Sequence, residues 1–148
     1  METIFQISNL LVMPFWFLII LLPHWRWTQR ILASPWVVGP AALLYAALVL
    51  PSLAALLPQL ANPQLDTIAA ALGTPAGATT AWVHFLAFDL FVGRWVYLDS
   101  RVRRITAWLV SPVLLLVFML GPLGLLVYLI VRSLLGRNTH PVSQSAVS

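Results

Sequence analysis

Residues 79–99 read TTAWVHFLAFDLFVGRWVYLD, an apolar stretch about long enough to cross a bilayer. Three ionisable residues interrupt it: His84, Asp89 and Arg94. On an insertion scale an Asp at mid-helix costs about 2.5–3.5 kcal/mol, and each Leu, Ile, Phe or Val returns roughly 0.3–0.6. Residues 80–98 hold nine such residues, worth about 3–5 kcal/mol together, and Asp89 alone cancels most of that. The segment is a marginal span by itself. It requires neighbouring helices.

The rest of the chain supplies them. Of 148 residues, 61% are apolar and 8% charged, whereas a soluble domain carries about 25% charged residues. The composition predicts an all-α integral membrane protein. Four stretches are long enough to span, at about residues 3–22, 35–57, 80–98 and 106–131. They predict four transmembrane helices in a small bundle, forming one membrane domain over 1–137. The polar tail 138–148 is expected to be disordered. The 2–3 loop, about 58–79, is expected to carry a short surface helix near 63–72. Asn62 and Pro63 fit its N-cap and first position, and Gly73 its stop.

The first span lacks the basic n-region of a cleavable signal peptide, having Glu2 instead. With no cysteine, disulfides and thiolate chemistry are excluded. No internal repeat supports an inverted-repeat transporter. The net charge of +4 comes from eight arginines against four carboxylates. No basic run is interleaved with polar groups as a phosphate backbone would require, so nucleic acid is not an expected partner. The arginines report topology instead. Arg26 and Arg30 lie in the 1–2 loop and Arg101, Arg103 and Arg104 in the 3–4 loop, with Arg132 and Arg137 at the contrary position in the tail. The majority places both Arg-rich loops in the cytoplasm and both termini outside. The protein is thus expected to be multi-pass, in a bacterial plasma membrane or a thylakoid.

Prolines fall inside the spans at Pro14, Pro40, Pro51, Pro112 and Pro122, and proline is common in membrane helices. The group Gly121, Pro122, Gly124 stands apart, because small residues let another backbone or a flat ligand approach closely. Trp25, Trp27, Trp36, Trp95, Tyr97 and Trp108 gather near the expected cytoplasmic interface. An interfacial aromatic belt accounts for most of them. A flat aromatic-lined site beside the arginines is the sharper alternative.

Helical geometry separates the three ionisable groups of the third span. At 100° per residue His84 and Asp89 point about 140° apart, as do Asp89 and Arg94, so neighbours cannot pair along the helix. Asp99 and Arg103, four apart, can. Asp89 therefore needs a partner on another helix or a proton. Gln6 and Asn9 of the first span are expected near its depth, giving a polar cluster Gln6–Asn9–His84–Asp89. Arg94 either snorkels to the interface or binds a ligand. No His/Asp/Glu pair has the spacing of a helical metal site, and no metal or cofactor is expected.

The string HFLAFDLFVGRWVYLDSR, residues 84–101, resembles the abscisic-acid-deficient (neoxanthin synthase-like) membrane protein family. The matching skeleton falls on His84, Asp89, Leu90, Phe91, Arg94 and Asp99, and Pro122 and Gly124 of the last span also look like the family pattern. Length and spans are similar to those of a prokaryotic member. Plant members are needed to form neoxanthin from violaxanthin, so the resemblance implies carotenoid (xanthophyll) metabolism, by acid–base conversion of an epoxy or polyene carotenoid within the bilayer. On that reading Asp89 is the acid and His84 the base. Arg94, Asp99, Phe91, Trp95, Gln6, Asn9, Pro122 and Gly124 are the expected substrate-binding residues. The alternatives are a non-catalytic carotenoid- or lipid-binding scaffold and, third, a small transporter. Membrane lipid, a carotenoid, a membrane-protein partner and a second copy of the chain are the expected partners.

Overall fold

The computed structural model describes residues 1–135; the polar tail, Arg137 and His140 lie outside the described residues. Those residues fold as α1 (Glu2–Leu21), α2 (Arg26–Ala33), α3 (Gly39–Val49), α4 (Leu53–Ala61), α5 (Leu65–Leu72), α6 (Pro75–Val102), α7 (Ala107–Leu120) and α8 (Pro122–Leu135). Short 3-10 turns at Pro35–Val38 and Leu50–Ser52 precede α3 and α4. Three helical stretches are long and apolar enough to cross a membrane: Glu2–Leu21, Pro35–Ala61 and Pro75–Val102. The second is stepped where Pro51 removes a backbone donor.

α6 is the axis of the molecule, packed against α1, α3 and α7. Thr74 starts it with a side chain that accepts from the Gly77 amide, and Pro75 fills the first turn. Its buried residues Val83, Leu86, Leu90, Gly93, Val96 and Tyr97 recur at three- and four-residue spacing, which gives one continuous stripe. Gly93 receives the Trp16 indole of α1, where a Cβ would collide with the ring. Trp16 in turn lies 5.1 Å from the Phe118 ring of α7.

The fourth predicted span, 106–131, is not one helix. α7 and α8 have 14 residues each, about 21 Å apiece and short of the ~20 residues a span needs. Gly121 breaks them apart at φ 32° and ψ −93°, a backbone that side chains rarely adopt. Pro122 then opens α8, where its missing N–H costs nothing. The two helices fold back as a hairpin: a Cβ on Gly124 would overlap the Val117 backbone. α8 returns to the end of α6 from which α7 set out, because Tyr128 and Arg132 both reach Asp99.

That reversal corrects the expected topology. Tyr97 Oη donates to the Pro23 carbonyl at 2.8 Å, so the end of α1 also lies at the Asp99 end, and Met1 lies at the other. The two ends of the described chain are on opposite ends of the bundle, not the same one. Arg132 consequently joins Arg26, Arg30, Arg101, Arg103 and Arg104 at a single end.

Two local differences complete the fold. The 1–2 loop contains a helix the span-level reading missed, α2, which buries Thr28 and Leu32 and turns Arg26 and Arg30 outward. The surface helix of the 2–3 loop is present as α5 and stops at Gly73 as expected. Asn62, however, closes α4 instead of capping α5, because the backbone stays extended through Gln64. At the far end of α6, Ile105 N–H donates to the Ser100 carbonyl at 2.9 Å and Arg104 takes φ 56°. This is the left-handed position after a helix, where glycine is usual and an L side chain costs about 1 kcal/mol.

Candidate functional site

The polar residues of α6 each meet a different neighbour, as the helical angles require. Arg94 faces α2. Its Nε donates to the Leu32 and Ser34 carbonyls at 2.8 and 3.2 Å, and its Nη2 to the Ala33 carbonyl at 2.8 Å. These are the orphan carbonyls at the C-terminus of α2, where a cation also complements the helix dipole. Two of the three guanidinium nitrogens thus hold α2 down, a role that the span-level reading did not give Arg94.

Asp99 faces α8. Its Oδ2 accepts from Tyr128 Oη at 2.7 Å and Arg103 Nε at 2.8 Å, with Arg132 Nε at 3.3 Å. The predicted Asp99–Arg103 pair is therefore present, within a larger cluster. Trp95 completes it: its ring stands edge-on to Tyr128 at 5.6 Å and beneath the Arg132 guanidinium at 5.4 Å. This cluster fastens the returning arm of the hairpin to α6. Sequence reading passes over Tyr128 and takes Arg132 only as a topology marker, because their role exists only once the chain reverses at Gly121.

His84 faces α3. Its ring stacks on Phe88 at 4.7 Å and lies 5.2 Å from Tyr45, in an aromatic strip. The proposed cluster Gln6–Asn9–His84–Asp89 does not form. Gln6 instead donates to Glu2 at 3.2 Å. Asn9 donates to the Phe5 carbonyl at 2.9 Å and accepts from Trp82 Nε1 at 3.0 Å. The buried side of α1 carries Ser8, Val12, Trp16 and Ile19, so Gln6 and Asn9 are turned off that line. The Trp82–Asn9 contact ties α1 to α6 instead.

Asp89 is left half-buried against the hairpin tip. A Cβ on Gly121 would overlap its Oδ1, and among the described residues the carboxylate accepts no side-chain or backbone hydrogen bond. Asp89 sits by the first turn of α8, whose N-terminal dipole end favours a negative charge. Phe85, one turn before Asp89 on α6, and Phe88 are 57% and 58% exposed, and Phe91 at 53% also faces outward. Pro122 opens α8, and Gly124 is filled by the opposite arm of the hairpin. Gly124 thus meets another backbone, and Gly121 the Asp89 side chain.

Together these features define an all-helical protein with several long apolar helices compatible with a membrane, built around one polar-studded central helix. The chain belongs to the ABA DEFICIENT 4-like family, whose match covers residues 3–128. That range takes in every candidate residue named above except Arg132. The family indicates a carotenoid- or xanthophyll-related membrane protein. No curated protein and no solved structure matches the chain.

Proposed function

We propose that the protein is a multi-pass membrane protein of carotenoid metabolism that takes its ligand from the bilayer at the outward face of α6 beside Asp89. In this reading α1, the α3–α4 stretch and α6 cross the membrane. The α7–α8 hairpin enters from the arginine-bearing end and returns to it. That end is cytoplasmic, since six arginines gather there and arginine marks the cytoplasmic side. Residue Arg132, contrary under a four-span topology, then follows the rule.

The observation that carries the reading is the unpaired Asp89 carboxylate. Ionisable groups at membrane depth are rare and usually serve a ligand or a proton, and Arg94 and Asp99 of α6 already have partners within the fold. Phe85 and Phe88 offer flat apolar surface next to it, suited to a polyene or a cyclic end group. Asp89 is the one proton donor the reading requires on α6, acting on an epoxide oxygen or a polyene carbon. His84 does not serve as its base on the same atom: it points to α3, stacked on Phe88 with Tyr45 tilted beside it.

That separation favours a second reading, a non-catalytic scaffold that holds a carotenoid at the same face. One experiment distinguishes them. The purified protein and Asp89→Asn are extracted for bound pigment and incubated with epoxy and cyclic carotenoids. Product formed by the native chain and lost in Asp89→Asn supports the enzyme. Pigment retained without turnover supports the scaffold, and neither pigment nor product from either protein counts against both.

A further inference from the structure

Between α1 and α7 runs a surface groove, on a side of the bundle that the candidate site does not use. Its apolar length consists of two adjoining cavities of about 490 and 540 Å³, sharing Ile20, Leu21 and Leu115. A third cavity of about 500 Å³ joins it at the arginine-bearing end, through Pro23, His24 and Trp108. From Leu10 to Pro23 the groove follows α1 for about 20 Å. One leaflet of the hydrocarbon core is about half of 30 Å deep, so the groove has the length of one acyl chain with its interfacial segment.

The polar end is distinctly cationic. Arg101 and Arg104 line it together with the hydroxyl residues Ser100, Thr106 and Ser111. Arg101 gives one N–H to the Pro23 carbonyl at 3.3 Å. Neither arginine has a carboxylate partner among the described residues, since Asp99 is taken by Arg103 and Arg132. Arg104 also occupies the left-handed position at which glycine would be the unstrained choice. An outlier of this kind points from strain toward function. Its side chain lines the cavity.

We propose that the α1–α7 groove is a binding site for one anionic phospholipid, with an acyl chain along Ile20, Leu21 and Leu115 and the phosphate at Arg101 and Arg104. A guanidinium pair over a phosphate gives charge-assisted hydrogen bonds that a zwitterionic lipid of the same chain length satisfies less well.

The test exploits the glycine preference. Arg104→Gly relieves the backbone strain, so the variant folds at least as well as the native chain. Leu115→Trp fills the apolar length while leaving both arginines in place. Each protein is purified in a mild detergent, titrated with phosphatidylglycerol or phosphatidylcholine, and weighed intact by native mass spectrometry. The native chain is expected to retain one phosphatidylglycerol in preference to phosphatidylcholine. Arg104→Gly should lower that affinity about tenfold and erase the preference, and Leu115→Trp should lower retention of both lipids. Arg30→Gln, outside the groove, is the control for general surface charge and should leave the preference intact. The proposal is overturned if Arg104→Gly and Arg30→Gln behave alike, if the native chain shows no preference, or if Leu115→Trp retains lipid as before.

Discussion

Asp99 accepts from Tyr128 and lies in ion-pair contact with Arg103 and Arg132, whereas Asp89, three turns earlier on α6, meets the backbone of Gly121 and no donor among the described residues. Both carboxylates lie along the α7–α8 hairpin, one at its base and one at its tip. At the base, several donors converge on one oxygen and compensate the desolvation that partial burial imposes. At the tip, only a helix N-terminus helps, and full acceptor capacity is left over. Asp99 is thus explained by the fold, and Asp89 is not. The surplus at Asp89 is what a ligand can use.

The comparison breaks most readily at the hairpin itself. Gly124→Val places two methyl groups against the Val117 backbone and should destabilise the protein by about 3 kcal/mol or more. The measurement is thermal unfolding in detergent, followed by circular dichroism. A continuous helix over 106–131 would tolerate the valine, so an unchanged melting temperature would remove the hairpin and with it the contrast between the two aspartates.

Next in size is the base of the hairpin. Asp99→Ala leaves Tyr128, Arg103 and Arg132 without their shared acceptor and should cost about 2 kcal/mol, discounted because the arginines are partly exposed. Tyr128→Phe removes one hydroxyl and should cost about 1 kcal/mol. The two changes should be less than additive, since they cut the same cluster. Full additivity in the unfolding free energies would mean that Asp99 and Tyr128 act separately.

A smaller effect is expected at Arg94. Arg94→Lys keeps the charge but loses the fork that reaches the Leu32, Ala33 and Ser34 carbonyls. It should cost about 1 kcal/mol and act locally, exposing α2 to faster proteolysis while the Asp99 cluster remains intact. Equal proteolysis of native and variant chains would mean that Arg94 does not anchor α2.

Much of this arrangement was legible from local pattern. Three long apolar helices, the α5 surface helix with its Gly73 stop, and the Asp99–Arg103 pair all follow from length, capping residues and four-residue spacing. So did the divergence of His84, Asp89 and Arg94, which needs only the 100° turn of a helix. What could not be read was pairing across helices. Arg94 finds carbonyls of α2, and backbone carbonyls leave no mark in a sequence. Asn9 chose Trp82 over His84 because depth alone does not set which face of α1 turns inward. The hairpin was signalled by Gly121 followed by Pro122, a left-handed turn before a helix start. Uninterrupted hydropathy on both sides made that signal look like a kink in one long span, which set Arg132 apart from the other arginines of the described residues.

The smallest effect on stability, and the most informative, is expected at Asp89. Asp89→Asn preserves shape and removes a carboxyl group that no side chain in the described residues pairs with. Its unfolding free energy should change by less than about 0.5 kcal/mol, as at a position whose interactions lie outside the fold. Carotenoid retention or conversion should fall even so. The same substitution at Asp99 gives the reverse expectation: a clear loss of stability, with ligand effects only in proportion to it. The comparison is therefore a double dissociation on one helix. If Asp89→Asn unfolds the protein as readily as Asp99→Asn does, the carboxylate at the hairpin tip is a structural anchor for the first turn of α8. In that case the ligand site must be sought elsewhere on the bundle.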